Sequence, residues 1–363
     1  MLTVTLVATF AAAALWQQWR ASEVESAERA RVQSGWILIG ALDWSRLILR
    51  EDARAGTSIS GTPSGGADHL AEPWAIPLEE ARLSSFLAAD KNISSDALEG
   101  LPDAFLSGRI IDAQSKLNVR NLVDSGKPVD SAVAAFTKLF ELLGLPVEEI
   151  STLTSQLKAA LPATTTAAGA TGTTGTAGAT GATGTTGTAG TAGTTVAAGT
   201  TAGTSSSSAE STSSDGSATG PLMPLHTSQL VWFGLSASTV AALEPYVTVL
   251  PVRTPLNINT ASAEVIYASV PKLDLAGAKR LVAQRTRSYF RELKDASALV
   301  NESSAQFVEG QHSIGSSYFE VHGRLRLDRT WVEEQSLLER AGLNVRIVWR
   351  ERGAGATLPT PGS

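Results

Sequence analysis

The chain has 363 residues, enough for two packed units, and a net charge of −6 from 29 Lys plus Arg against 35 Asp plus Glu. That balance supplies no general basic face, so nucleic acid is not an expected partner. With no cysteine, a disulfide framework and thiolate metal sites are both excluded.

The opening run, MLTVTLVATFAAAALW, carries no charge, and its only polar members are Thr3, Thr5 and Thr9. A helix that is apolar all round belongs in lipid or among similar helices, which makes Leu2, Val4, Leu6, Val7, Phe10 and Leu15 the expected membrane anchor. Trp16 and Trp19, with Arg20 beside them, stand where an interface would lie. At ~1.5 Å per residue the run spans about 24 Å, a little less than a ~30 Å hydrocarbon core.

No basic residue precedes the run and no break follows it where a cleavage site would fall, so a retained anchor is expected over a cleaved signal. The missing basic flank reads as a chain that starts inside a longer precursor. One helix is expected from near Met1 to about Arg50. Its second part is amphipathic, with Val32, Trp36, Ile39 and Leu42 forming the stripe and Ile37, Leu38 and Trp44 widening it.

Between Asp52 and Pro77 the composition is irregular, and Trp74 and Ile76 are the apolar anchors of a loop expected to fold back on the helix. His69 beside Asp68 in this glycine-rich loop reads as a surface or capping residue, not half of a metal or acid–base pair. A short helix is expected from Leu78 to Ala89. Strand-like positions follow from Arg109 to Leu122, and Asn118 and Asn121 are placed to cap the next helix. That helix, SAVAAFTKLFELLGL, carries Val133, Phe136, Leu139, Phe140 and Leu143 on one face and closes at Gly144. A second helix, VEEISTLTSQLKAAL, comes directly after.

From Thr164 to Thr204 the chain is nearly pure Ala, Gly and Thr, then Ser-rich up to Gly220. Such a tract has too little apolar bulk to offset the entropy of ordering it, and a flexible linker is expected. Beyond it the earlier pattern returns: Leu256, Asn257 and Asn259 answer Leu117, Asn118 and Asn121, the first copy holding one extra residue, Arg120. Helices are expected over Ala263 to Ser269 and Leu275 to Thr286, separated by Pro271. The two copies form a pseudo-repeat in order of elements, and the six residues are its structural motif.

The string LNINTASAEV resembles the helix-hairpin-helix module of competence DNA receptors. The hairpin VPKLDL, however, places Pro271 and Asp274 where glycines would bare N–H groups to a phosphate, and the structural reading prevails. Near the end the period becomes two. SSYFEVHGRLRLD and LNVRIVWRE are expected to be hairpin partners, the latter with Leu343, Val345, Ile347 and Trp349 on one face, in a small antiparallel sheet against the long helix.

His69, His226, His312 and His322 are scattered singly, and no hydrolase or metalloprotease string occurs. Asp43, Asp112 and Asp274 lie in unrelated elements with capping and solvation as their expected work. No catalytic or metal-ligating set is expected, and the chain is read as a non-enzyme.

Several strings together resemble the minor pseudopilin K family of type II secretion, also called general secretion pathway protein K: LTVTLVATFAAAALWQQ, GALDWSRLILREDAR, DHLAEPWAIPL, GRIIDAQSKLNVRNLV, PYVTVLPVRTPLNINTASAEVI, LVAQR, SSYFEVHG and the closing VWRE. The resemblance implies an α+β, pilin-like fold: a long N-terminal helix on a small antiparallel sheet, with a large inserted all-α domain. It divides the chain into a transmembrane part of the helix (1–19), its amphipathic periplasmic half (20–55) and a first pilin-like part (56–122). An inserted helical domain (123–163 and 221–312) interrupted by the linker (164–220), the closing strands (313–352) and a loose tail (353–363) complete it.

The implied partners are the minor pseudopilins I and J, the major pseudopilin below, the inner membrane and, for the precursor, the prepilin peptidase. The implied place is a single pass through the bacterial inner membrane with the bulk in the periplasm, at the pseudopilus tip. Major pseudopilins carry a glutamate near the start of this helix, whereas here no acid precedes Glu23. A subunit with no neighbour above has reason to lose a carboxylate that lipid penalises. Family members hold an acidic stretch linked to calcium, which here is replaced by a tract with only Glu210 and Asp215, so no cofactor is expected. Alternatives are a membrane-anchored helix-hairpin-helix DNA receptor and a minor pilin of a type IV pilus.

Overall fold

The computed structural model describes residues 2–55, 66–83, 104–161, 220–300, 306–327 and 330–354. The expected linker, its Glu210 and Asp215, and the tail beyond residue 354 lie outside the described residues.

Helix α1 runs without interruption over Leu2–Ala55. No proline interrupts it, and Gly35 and Gly40 are its only glycines. From Thr3 to Gln33 it is exposed except for the half-buried Ala30, and from Ser34 onward one side enters a core. Among the described residues no helix is long and apolar enough to cross a membrane. Thr3, Thr5, Thr9, Gln17 and Gln18 dilute the opening run that the sequence reading assigned to lipid.

The buried stripe of α1 differs from the expected one. Leu38, Leu42 and Leu49 are buried together with Ser34 and Ser45, whereas Val32 (58 % exposed) and Trp36 (69 %) face outward. Small residues on the inner side let the sheet come close: a Cβ on Gly35 would meet the Arg352 guanidinium at 2.9 Å, and one on Gly323 would touch Leu38 at 3.4 Å. Bulky tryptophans do not fit that approach, so of the expected stripe Leu38 and Leu42 are buried while Val32 and Trp36 are not.

Among the described residues the sheet has five antiparallel strands in chain order: β1 (Leu78–Arg82), β2 (Ala104–Asp112), β3 (Tyr318–Leu327), β4 (Thr330–Ala341) and β5 (Asn344–Ala354). The first part of the short helix expected over Leu78 to Ala89 is strand β1, an edge strand pairing Leu78 with Gly108 and Arg82 with Phe105, and residues 84–89 lie outside the described residues. The first main strand is Ala104–Asp112 and not the Arg109–Leu122 stretch, whose later part turns through short 3-10 segments. Strand β4 was not expected; Glu333, Glu334 and Gln335 break the apolar pattern that would reveal it. It separates the two strands read as hairpin partners, and a bulge between Leu337 and Leu338 breaks the single apolar face expected for β5. Val345 faces α1, while Trp349 packs with Leu337 on the opposite side.

Phe319, Val321 and Leu338 turn toward α1, where Leu42, Leu49 and Trp74 meet them, and Leu325 packs with Leu38. Trp74 is fully enclosed and stands edge-on to Phe319 at 5.2 Å, while its expected companion Ile76 is exposed. On the sheet's other side Tyr318, Leu337 and Trp349 pack with Ala113 and Leu250.

Between β2 and β3 the chain builds a separate core running from Leu117 to Phe307. Its helices are α2 (Asp130–Leu143), α3 (Glu148–Ala160), α4 (Ala237–Leu243), α5 (Ala263–Ser269), α6 (Leu275–Arg287) and α7 (Leu293–Ser297). Helix α2 ends on Gly144 at φ +66°, the left-handed cap its sequence announces.

Candidate functional site

The helical unit leaves the sheet at the end of β2 and returns at the start of β3, and the two points are fastened by a buried polar cluster. Asp112, the last residue of β2, is fully enclosed. Its Oδ1 accepts from the Gln114 amide at 2.8 Å, and its Oδ2 accepts from Asn257 Nδ2 (3.0 Å), Thr260 Oγ1 (2.5 Å) and Ser316 Oγ (2.6 Å). Burial lifts this carboxyl to about 6, against the pull of the Ser316 and Thr260 hydroxyls.

Asn257 is the centre of the knot. Its amide also donates to the Asp68 carbonyl (3.1 Å) and to Ser316 Oγ (3.0 Å). Asp68 accepts the Ser316 amide at 2.7 Å and pairs with Arg340 through both carboxylate oxygens at 2.5 and 2.6 Å. Arg340, near the end of β4, reaches Asp52 of α1 at 2.7 Å with its other nitrogen. One polar chain thus ties the long helix, the sheet, the 66–72 loop and the helical unit.

Asp52, Asp68 and Glu72 bring three possible ligand atoms within 4.8 Å of one another. The Arg340 guanidinium already lies against two of these carboxylates, so the cluster carries its own cation. Glu72 accepts from Trp74 Nε1 (2.7 Å) and the His69 amide (3.0 Å), and burial pushes it up to about 7. His69 accepts the Ala71 amide on Nδ1 and stacks on Tyr289 at 4.0 Å. It caps the loop and leans on the helical unit.

The pseudo-repeat residues fall into two matched pieces. Leu117–Asn118 runs parallel to Val247–Thr248, and Leu256–Asn257 runs parallel to His312–Ser313. In each copy the first asparagine accepts an amide two residues on: Arg120 for Asn118 (3.0 Å) and Asn259 for Asn257 (2.9 Å). The second asparagine in each copy clamps both backbone groups of one distant residue. Asn121 bonds the Thr254 carbonyl and amide at 2.8 and 3.1 Å, and Asn259 bonds those of Phe290 at 2.9 Å each. Asn118 therefore caps a short 3-10 turn, while Asn121, expected to cap the next helix, staples a loop instead; α2 starts after Val129 with no side-chain cap.

The expected membrane residues Val4, Leu6, Val7, Phe10, Leu15, Trp16 and Trp19 are all exposed along α1, and Leu2 opens the helix. Asp274 accepts the Gly277 amide at 2.6 Å, filling the N-terminus of α6 where a phosphate would sit. The helix-hairpin-helix geometry is thus closed by its own carboxylate. Sequence reasoning missed Asp68, Thr260 and Ser316 as partners of Asp112 and Asn257, and Arg340 as the partner of Asp68. The available signal was an aspartate ending an apolar strand.

Residues 256–315, which start at the second asparagine motif, match the model of the family described as type II secretion system, protein K. The chain is 25 % identical over 363 residues to the type II secretion system protein K of Pseudomonas aeruginosa strain PAO1, spanning 99 % of this chain and 93 % of that protein. Among solved structures it is similar to a chain of the GspK–GspI–GspJ complex from the enterotoxigenic Escherichia coli type 2 secretion system. The identity is 16 %, the TM-score 0.49, and the coverage 93 % of this chain and 100 % of that one. The segment matched by the family model holds Asn257 and Thr260 of the polar knot, and over its whole length the chain is similar to a type II secretion system protein K.

Proposed function

We propose that this chain is a minor pseudopilin that works by assembly at the tip of the type II pseudopilus, with minor pseudopilins I and J as companions and a major pseudopilin beneath. The observation that carries the reading is α1 itself: one helix whose first half projects bare while its second half holds a sheet and a helical head. At ~1.5 Å per residue its 54 residues reach about 80 Å. The outward residues Val32, Trp36 and Leu47 leave an apolar line on the same helix for a neighbour to cover. The head of residues 123–163 and 221–312, inserted between strands, bars a further subunit above.

In this reading Val4 to Trp19 form a single pass of the inner membrane. A short apolar stretch is accommodated by local thinning and by packing against companion helices. The rest lies in the periplasm, and the work is assembly, not chemistry. The test is co-purification from detergent extracts of cells expressing the companions. Recovery of a complex with I and J that Trp36→Glu weakens, with folding retained, supports the reading. Failure of the wild-type chain to retain either companion sinks it.

A further inference from the structure

Lys138 extends from α2 into the turn that joins α5 to α6. Its Nζ donates to the carbonyl oxygens of Tyr267 (2.7 Å), Val270 (2.9 Å) and Leu273 (3.3 Å). The same ammonium lies 4.1 Å from the centre of the Tyr267 ring. Two of these oxygens come from the turn between the helices and one from the last turn of α5, where carbonyls hold partial negative charge. Lys272 in this turn takes φ +61°, a left-handed conformation that folds the chain back so that the oxygens converge.

Three backbone oxygens and a ring face around one positive centre make a cage suited to a monovalent cation of ammonium or potassium size. We propose that the α5–α6 hairpin is such a cation site and that the chain supplies its own occupant, the Lys138 ammonium. The hairpin then has both ligand positions filled from within, an anion by Asp274 at the start of α6 and a cation by Lys138 from α2. The tethered charge also fixes α2 to the turn, so order there needs no ion from solution. This stands apart from the proposed place at a pseudopilus tip.

Removal of the tether should leave a site that free cations can enter. The full chain in mild detergent is melted at constant ionic strength in potassium, ammonium or tetramethylammonium chloride. The wild type is expected to melt alike in all three. Lys138→Ala should lose roughly 5 °C in tetramethylammonium and regain at least about half of it, saturably, in potassium or ammonium. Lys138→Met, whose chain blocks the cage without a charge, should show no such recovery. Equal melting of Lys138→Ala in all three salts overturns the proposal. So does a Lys138→Ala chain that fails to fold even in ammonium while Lys138→Met folds.

Discussion

Asp112 shows how a single carboxylate can hold two folded units together. Its Oδ2 is the shared acceptor for an amide and two hydroxyls, so Asp112→Ala takes one acceptor from three buried donors at once. A loss of about 3 kcal/mol in denaturant unfolding is expected, since unsatisfied buried donors cost ~1–3 kcal/mol each and partly re-pair.

Glu72 gives a pH signature of opposite sense to the usual acid. Its folded value, about 7, exceeds the ordinary 4.5, so the folded state binds the proton more tightly. Its contribution to stability is complete below 4.5 and declines as pH rises through about 7. Glu72→Gln should flatten that part of a stability–pH curve, as read from urea midpoints. His312 works the other way. Burial depresses its imidazole from 6.5 to about 4, so its contribution holds above 6.5 and fades as pH falls toward 4.

Helix α1 presents two apolar sides, and among the described residues only one is covered. Leu42 is enclosed with Phe319 and Val321, and Leu42→Ala should cost ~2–5 kcal/mol by the usual large-to-small penalty, visible as a lower melting midpoint. Trp36 is 69 % exposed, so Trp36→Glu should leave that midpoint within about 1 °C while weakening the proposed association with companion pseudopilins. Periodicity named a helix with an apolar stripe but could not choose its side. Ser34, Gly35 and Ser45, invisible as core formers, decided it by letting strands approach. Strand β4 escaped notice for a related reason: its Glu334 is buried against Arg350 and Arg352, a pairing that no local pattern announces.

The sheet and the helical unit have separate main cores, joined by a small apolar contact of Leu250 with Tyr318 and Leu337 and by a shared polar knot where the chain crosses twice. Breaking that knot should therefore uncouple them. Arg340→Met, which leaves Asp68 buried beside Asp112 without its cation, is expected to split one calorimetric unfolding peak into two.

By itself the sequence determined a long unbroken helix, paired short helices closed by glycine and aspartate caps, and alternating strands near the end. Each rests on rules spanning a few residues. Only the tertiary structure decided which helix side meets the sheet, how β4 intervenes and why Asp112, Asn257, Ser316 and Arg340 act together. Those outcomes depend on contacts between residues far apart in the chain, where burial changes what a polar side chain costs and which partner it must find.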